Sequence, residues 1–174
     1  LARLLWDPKT DVDAVTDDFL DGYYGRAGRH LRRYIDALHD GLERSGAGLD
    51  IYEPPAVHAA DYLSAAETDL YDSLFDEAEA AAAGDPAALA RVRTARLPLM
   101  YAELEIAKND MFGPRGFYVE KGGRFEARPA KVRLLEKFAA RCEAGGVRTL
   151  NESGLSPAAY CDSVRRFIDV QVEG

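Results

Sequence analysis

Asp36, His39, Asp40 and Glu43 recur at three- and four-residue intervals, which on a helix places them along one face. Carboxylates and an imidazole so arranged can hold a divalent cation or pass a proton, and the same residues also make up an ordinary solvated face. Arg96 and Glu103 flank Tyr101 inside an otherwise apolar stretch close to Pro98. Ionisable groups in such surroundings are costly unless matched. The three residues therefore mark either a polar site, with Tyr101 donating to a ligand, or a structural ion pair with Tyr101 filling core. His30 lies among arginines and His58 follows Pro54-Pro55, neither with a partner motif.

A second kind of chemistry rests on aromatic rings. Sugar rings present C–H faces that stack on aromatic planes, and aromatics also anchor interfaces between domains. Trp6, Phe112, Phe117, Tyr118 and Phe125 are the candidates for an interface or for sugar stacking, with core filling as their other use. Asn151-Glu-Ser153 fits the glycosylation sequon, a pattern common by chance.

Stronger motifs are absent from the sequence. Gly22, Gly25 and Gly28 do not have dinucleotide-fingerprint spacing, and there is no Walker A, H-E-x-x-H or G-x-S-x-G sequence. Cys142 and Cys161 stand apart with no C-x-x-C partner, so they read as buried thiols, or as a mutual disulfide if the protein is exported. No catalytic residue, metal ligand or cofactor is assigned.

These residues belong to a chain of 174 residues with 47% hydrophobic and 30% charged side chains, the composition of one folded domain over residues 1–174. The net charge of −8 argues against nucleic acid or an anionic membrane surface as partner. No apolar run approaches the roughly 20 residues that cross a bilayer.

The elements that position the candidates are read as helices. Thr10 caps a first helix with Val12, Val15, Phe19 and Tyr23 on its apolar face and Asp13, Asp17 and Asp21 on another. Gly25 breaks it, and a second begins near Ala27 with Leu31, Tyr34, Ile35, Leu38 and Leu42 inward. Arg26, Arg29, Arg32 and Arg33 crowd the second helix's start, where cations oppose its dipole. The acidic face of the first helix, folded back, is the expected compensation. Ser64-Ala-Ala-Glu67 has capping-box spacing and opens a third helix with Leu70, Leu74, Ala78 and Ala81 inward. Asp85-Pro86 starts a fourth, the most enclosed, which runs towards Asp110 with a kink at Pro98. Glycines and aromatics between residues 111 and 128 form a small insertion, a hairpin turned by Gly122-Gly123 or an irregular loop. A fifth helix carries Val132, Leu135, Phe138, Ala139 and Cys142. Ser156-Pro157 caps a sixth, with Tyr160, Val164, Phe167 and Ile168 inward. The fold class is all-α, about six helices in an irregular bundle.

Four stretches carry a resemblance: Leu4-Leu-Trp-Asp-Pro8, Phe19-Leu-Asp-Gly-Tyr-Tyr-Gly-Arg-Ala27, Arg96-Leu-Pro-Leu-Met-Tyr101 and Gly146-Val-Arg-Thr-Leu-Asn-Glu152. Together they resemble domain of unknown function 4838, the helical C-terminal region of bacterial glycoside-hydrolase-like proteins. The resemblance implies a (β/α) barrel upstream in the same polypeptide, in an arrangement broadly similar to that of α-glucuronidases. It carries no catalytic residue onto this chain. The opening Leu1-Ala-Arg-Leu-Leu lacks an initiator Met, and Leu1, Leu4 and Leu5 have helical spacing without a cap, so the chain is expected to be a C-terminal piece of a multidomain protein. Exported and cytoplasmic locations both stand. The leading expectation is a non-catalytic accessory domain that packs on the barrel and borders its substrate cleft or a homodimer interface. A free-standing carbohydrate-binding module and a small independent enzyme are the alternatives.

Overall fold

Asp11, not Thr10, caps the first helix: its Oδ1 accepts from the amide of Ala14 at 3.0 Å, and α1 runs Val12–Tyr24. The computed structural model describes residues 6–50 and 52–172. Leu1, Leu4 and Leu5, and with them the expected cut helix, lie outside the described residues. Gly25 takes φ 56°, beyond the reach of most L-residues, and turns the chain through a 3-10 segment (Gly25–Ala27) into α2, Gly28–Ser45. The expected compensation between these helices is present. Arg32 reaches Asp13 at 2.8 Å and Asp17 at 3.1 Å on α1, and Asp36 one turn along α2 at 2.9 Å.

A loop and a 3-10 turn at Pro55–His58 lead to α3, Ala65–Ala81, where Ser64 accepts from the Glu67 amide as its spacing requires. Its buried face is Thr68, Tyr71, Leu74, Phe75 and Ala78; Leu70, expected inward, is exposed. The expected fourth helix is two. Arg96 separates α4 (Pro86–Ala95) from α5 (Leu97–Asn109), and Pro98 sits in the first turn of α5, where its missing N–H costs nothing.

The chain is mostly helical but not strictly all-α. Strands β1 (Tyr118–Lys121) and β2 (Arg124–Ala127) pair antiparallel, Tyr118 opposite Ala127. Gly122 and Gly123 between them both have positive φ, the conformation of a tight two-residue turn. Arg115 ties the preceding loop to the front of the molecule, donating to the Leu63 carbonyl at 2.7 Å and Thr68 Oγ1 at 3.1 Å. Helices α6 (Pro129–Ala144) and α7 (Pro157–Val172) complete the described chain, with Ser156 capping α7.

Two apolar clusters form the interior. Leu31, Tyr71, Phe75, Val92, Leu99, Ala102 and Ile106 belong to the first, built from α1 to α5. Leu97, Met100, Leu104, Phe117, Tyr118, Leu135, Phe138, Tyr160 and Val164 belong to the second, built from α5, the β-hairpin, α6 and α7. Helix α5 is thus apolar on opposite sides and enclosed, as its sequence leads one to expect.

Candidate functional site

Arg96 occupies the junction of α4 and α5 with its side chain 7% exposed, facing the carboxylates that α3 presents at successive turns. Its Nε and Nη2 both donate to Asp72 Oδ1, at 3.1 and 2.6 Å, and its Nη1 donates to Asp76 Oδ1 at 2.6 Å and Glu79 Oε1 at 3.0 Å. Burial lowers the guanidinium's proton affinity, but the hydrogen bond to Asp76 and the charge of Asp72 outweigh it and fix the cation. Glu79 also accepts from Arg141 Nη2 on both oxygens at 2.7 Å. Burial raises its pKa, and the two arginines more than reverse that.

Glu103 does not meet Arg96. It pairs with Lys131 at 3.4 Å, and burial, followed by the nearby Asp72 carboxylate, pushes its carboxyl up to about 7. Tyr101 turns the other way, its ring 5.3 Å from Tyr160 and 6.3 Å from Phe138, and burial raises its hydroxyl. The three residues singled out in the sequence therefore do not converge. Arg96 and Glu103 are joined through Asp72 in a buried ion-pair network whose donors are spent on protein acceptors, and Tyr101 fills core.

On the polar face of α2, Asp36, His39, Asp40 and Glu43 are all exposed. Asp36 is held by Arg32, and among the described residues no three His, Cys, Asp or Glu side chains are grouped as a metal ion requires. Both remaining histidines have partners that the sequence did not show. His30 lies 2.9 Å from Glu77, and the buried His58 lies 3.3 Å from each of Glu53 and Asp61, with its ring 4.7 Å from Tyr62. Cys142 and Cys161 are free and buried, and burial pushes the Cys142 thiol up to about 11.

The aromatic candidates separate into two sets. Phe117 and Tyr118 are fully buried and present no ring face to a ligand; Tyr118 Oη donates to the Ile168 carbonyl at 2.6 Å. Their apolar neighbours in the second cluster account for this, because a lone hairpin must pack on something to persist. Phe112 and Phe125 are half exposed and meet edge to face, centroids 4.7 Å apart. Trp6 is 92% exposed.

Sequence periodicity correctly marks an apolar face on α1, with Val12, Val15, Phe19 and Tyr23, and the structure leaves most of that face open. Leu20 is the buried residue of that helix, whereas Val12, Phe19 and Tyr23 are exposed at 54%, 56% and 43%. Phe19 stacks on Tyr23 with centroids 5.3 Å apart, and the Arg91 guanidinium lies 4.4 Å from the Tyr23 ring centre. That the face is open, with its aromatics uncovered, is what periodicity alone does not give. Leu20 and the half-buried Tyr24 are the residues of α1 that pack on the first cluster.

No curated protein and no solved structure matches the chain. A family model does, over a segment that holds the first two of the four resembling stretches and the open face of α1, and that stops before the other two. Residues 1–36 match the family described as domain of unknown function (DUF4838).

Proposed function

We propose that this chain is a non-catalytic helical accessory module of a glycoside-hydrolase-like, carbohydrate-active protein, and that it docks on an upstream (β/α) barrel through the open face of α1. The observation that carries this reading is the face itself: Val12, Phe19 and Tyr23 on one helix, with Trp6 just ahead, are exposed within the family-matched segment. A contiguous exposed apolar patch on a folded domain marks an interaction surface, and aromatic side chains are the usual anchors of one. The hairpin insertion contributes a second exposed pair, Phe112 and Phe125, which would border the barrel's cleft or a homodimer contact. The dispersal of Arg96, Tyr101 and Glu103 favours an accessory role over an independent active site. The edge-to-face meeting of Phe112 and Phe125 at 62° is not the coplanar platform that a free-standing carbohydrate-binding module offers.

Hydroxyl-radical footprinting of the whole gene product, against the 174-residue chain alone, tests the reading. Protection of Trp6, Phe19 and Tyr23 in the whole protein is the expected result. Equal oxidation in both, or a gene product no longer than this chain, overturns docking on a barrel.

A further inference from the structure

A groove of about 740 Å³ opens between the end of α1, α4 and α6, within the size range of small-ligand sites. Tyr23 and Tyr24 form one wall, and Arg91, Arg93, Lys137 and Arg141 contribute cations from two helices. Among the described residues no carboxylate lines it, although acidic residues outnumber basic ones in the chain by thirty to twenty-two. We infer that this groove binds a small anion carried on a ring, a carboxylate or phosphate on a sugar-sized scaffold.

Of the four groove cations, Arg93 and Arg141 pair with one carboxylate, Glu79, and among the described residues no ion pair reaches Arg91 or Lys137. Arg91 is fixed by its hydrogen bond to the Tyr23 carbonyl at 2.7 Å and by the Tyr23 ring, contacts that orient it without supplying a counter-charge. Arg141 is held by Glu79, the same carboxylate that Arg93 reaches at 3.6 Å, so these two groove cations share one counter-charge, while Arg96 beyond them is matched by Asp72 and Asp76 as well. Lys137 makes no hydrogen bond or ion pair with another described residue. Its ammonium is held below its ordinary range by burial and by Arg141 and Arg96, against the weaker opposing pull of Glu79 and Asp76. A bound anion supplies the missing charge, and charge-assisted hydrogen bonds to guanidinium and ammonium are the strong ones. Alanine methyls from α4 and α6 line the rest and give a ring an apolar surface to rest on. The net charge of −8 repels an extended polyanion, which limits the ligand to one that fits inside the groove. Tyr23 is shared with the open face of α1, so the groove is tested in this chain alone, where its failure and a failure of docking are read separately.

The test is titration of the isotope-labelled 174-residue chain with glucuronate, glucose 6-phosphate and glucose, followed by NMR at low salt. The expected result is that at least one of the two anions shifts the amides around Lys137 and Arg91 while glucose does not; which anion it is identifies the charged group. Affinity should fall about tenfold in Lys137→Ala, hold in Lys137→Arg, and weaken as sodium chloride is raised from about 0.05 to 0.5 M. Lys121→Ala, on the hairpin, should bind as the parent does. Neither anion binding better than glucose, or unchanged binding by a folded Lys137→Ala, overturns the inference.

Discussion

Arg141 on α6 donates from Nη2 to both carboxylate oxygens of Glu79 on α3 at 2.7 Å, joining helices that belong to different apolar clusters across 62 residues of sequence. Arg96 shares the same carboxylate. Replacing Glu79 by Ala leaves two guanidinium groups, 7% and 9% exposed, without their common partner. The expected cost is about 3–5 kcal/mol, the magnitude for breaking one member of a buried pair. Asp76→Asn, at a side chain that is mostly exposed, should cost about 1 kcal/mol or less. Urea denaturation of the two variants checks the contrast, and equal losses would refute it.

Glu103 gives the chain a pH dependence of unusual sign for a carboxylate. Its folded pKa of about 7 lies above the unfolded value of 4.5, so between these the folded state binds more protons. Its contribution to stability is therefore complete below about 4.5, falls as pH rises towards 7, and is flat beyond. Glu103→Gln should remove that slope and gain on the order of 2 kcal/mol over the parent at pH 8. Thermal melts at pH 5 and pH 8 measure the difference. Identical slopes in parent and variant would show that Glu103 is ionised throughout.

Gly28 is where α2 presses on α1. A Cβ there would meet the Leu20 carbonyl oxygen at 2.7 Å and its carbon at 2.8 Å, backbone atoms that cannot swing aside. Gly28→Ala should destabilise by about 1–3 kcal/mol by wedging the two helices apart. Gly22→Ala, with open space around its Cβ position, should be neutral or mildly stabilising in the same assay.

Cys142 and Cys161 should resist alkylation in the native protein at pH 8, because burial keeps both as thiols, the first with a pKa of about 11. Both should react promptly in urea, without reductant. Rapid native labelling of either would contradict their burial.

Phe19→Ser, on the open face, should leave the melting temperature of the chain within about 2 °C of the parent, since little burial is lost. A large drop would mean that this face is part of the chain's own core and not a surface for another domain.

Much of this architecture is legible from local rules. Capping at Ser64 and Asp85, the break at Gly25, and the two-sided pattern of Leu97, Leu99, Met100 and Ala102 all depend on residues within a turn of one another. The Arg32 pairing with Asp13 and Asp17 is also readable, because a tight turn leaves the second helix little choice of neighbour. Phase is less secure where apolar residues are adjacent: Leu70 and Tyr71 both fit a helical stripe, and packing against Tyr34 with a hydrogen bond to the Tyr62 carbonyl selects Tyr71. The partners of Arg96 come from a helix about 20 residues away, whose angle of approach no local rule fixes. Periodicity shows that α1 has an apolar face but not what covers it, and the groove lined by Lys137 arises only when α4 and α6 lie side by side.

Helix α5 gives Leu99, Ala102 and Ile106 to one cluster and Leu97, Met100, Leu104 and Ala107 to the other. Neither cluster can melt while the other keeps the helix wound, so loss of structure should be concerted, with one transition seen alike by every probe. The amide protons of that helix, withdrawn from solvent by both sides, should be the last to exchange with deuterium.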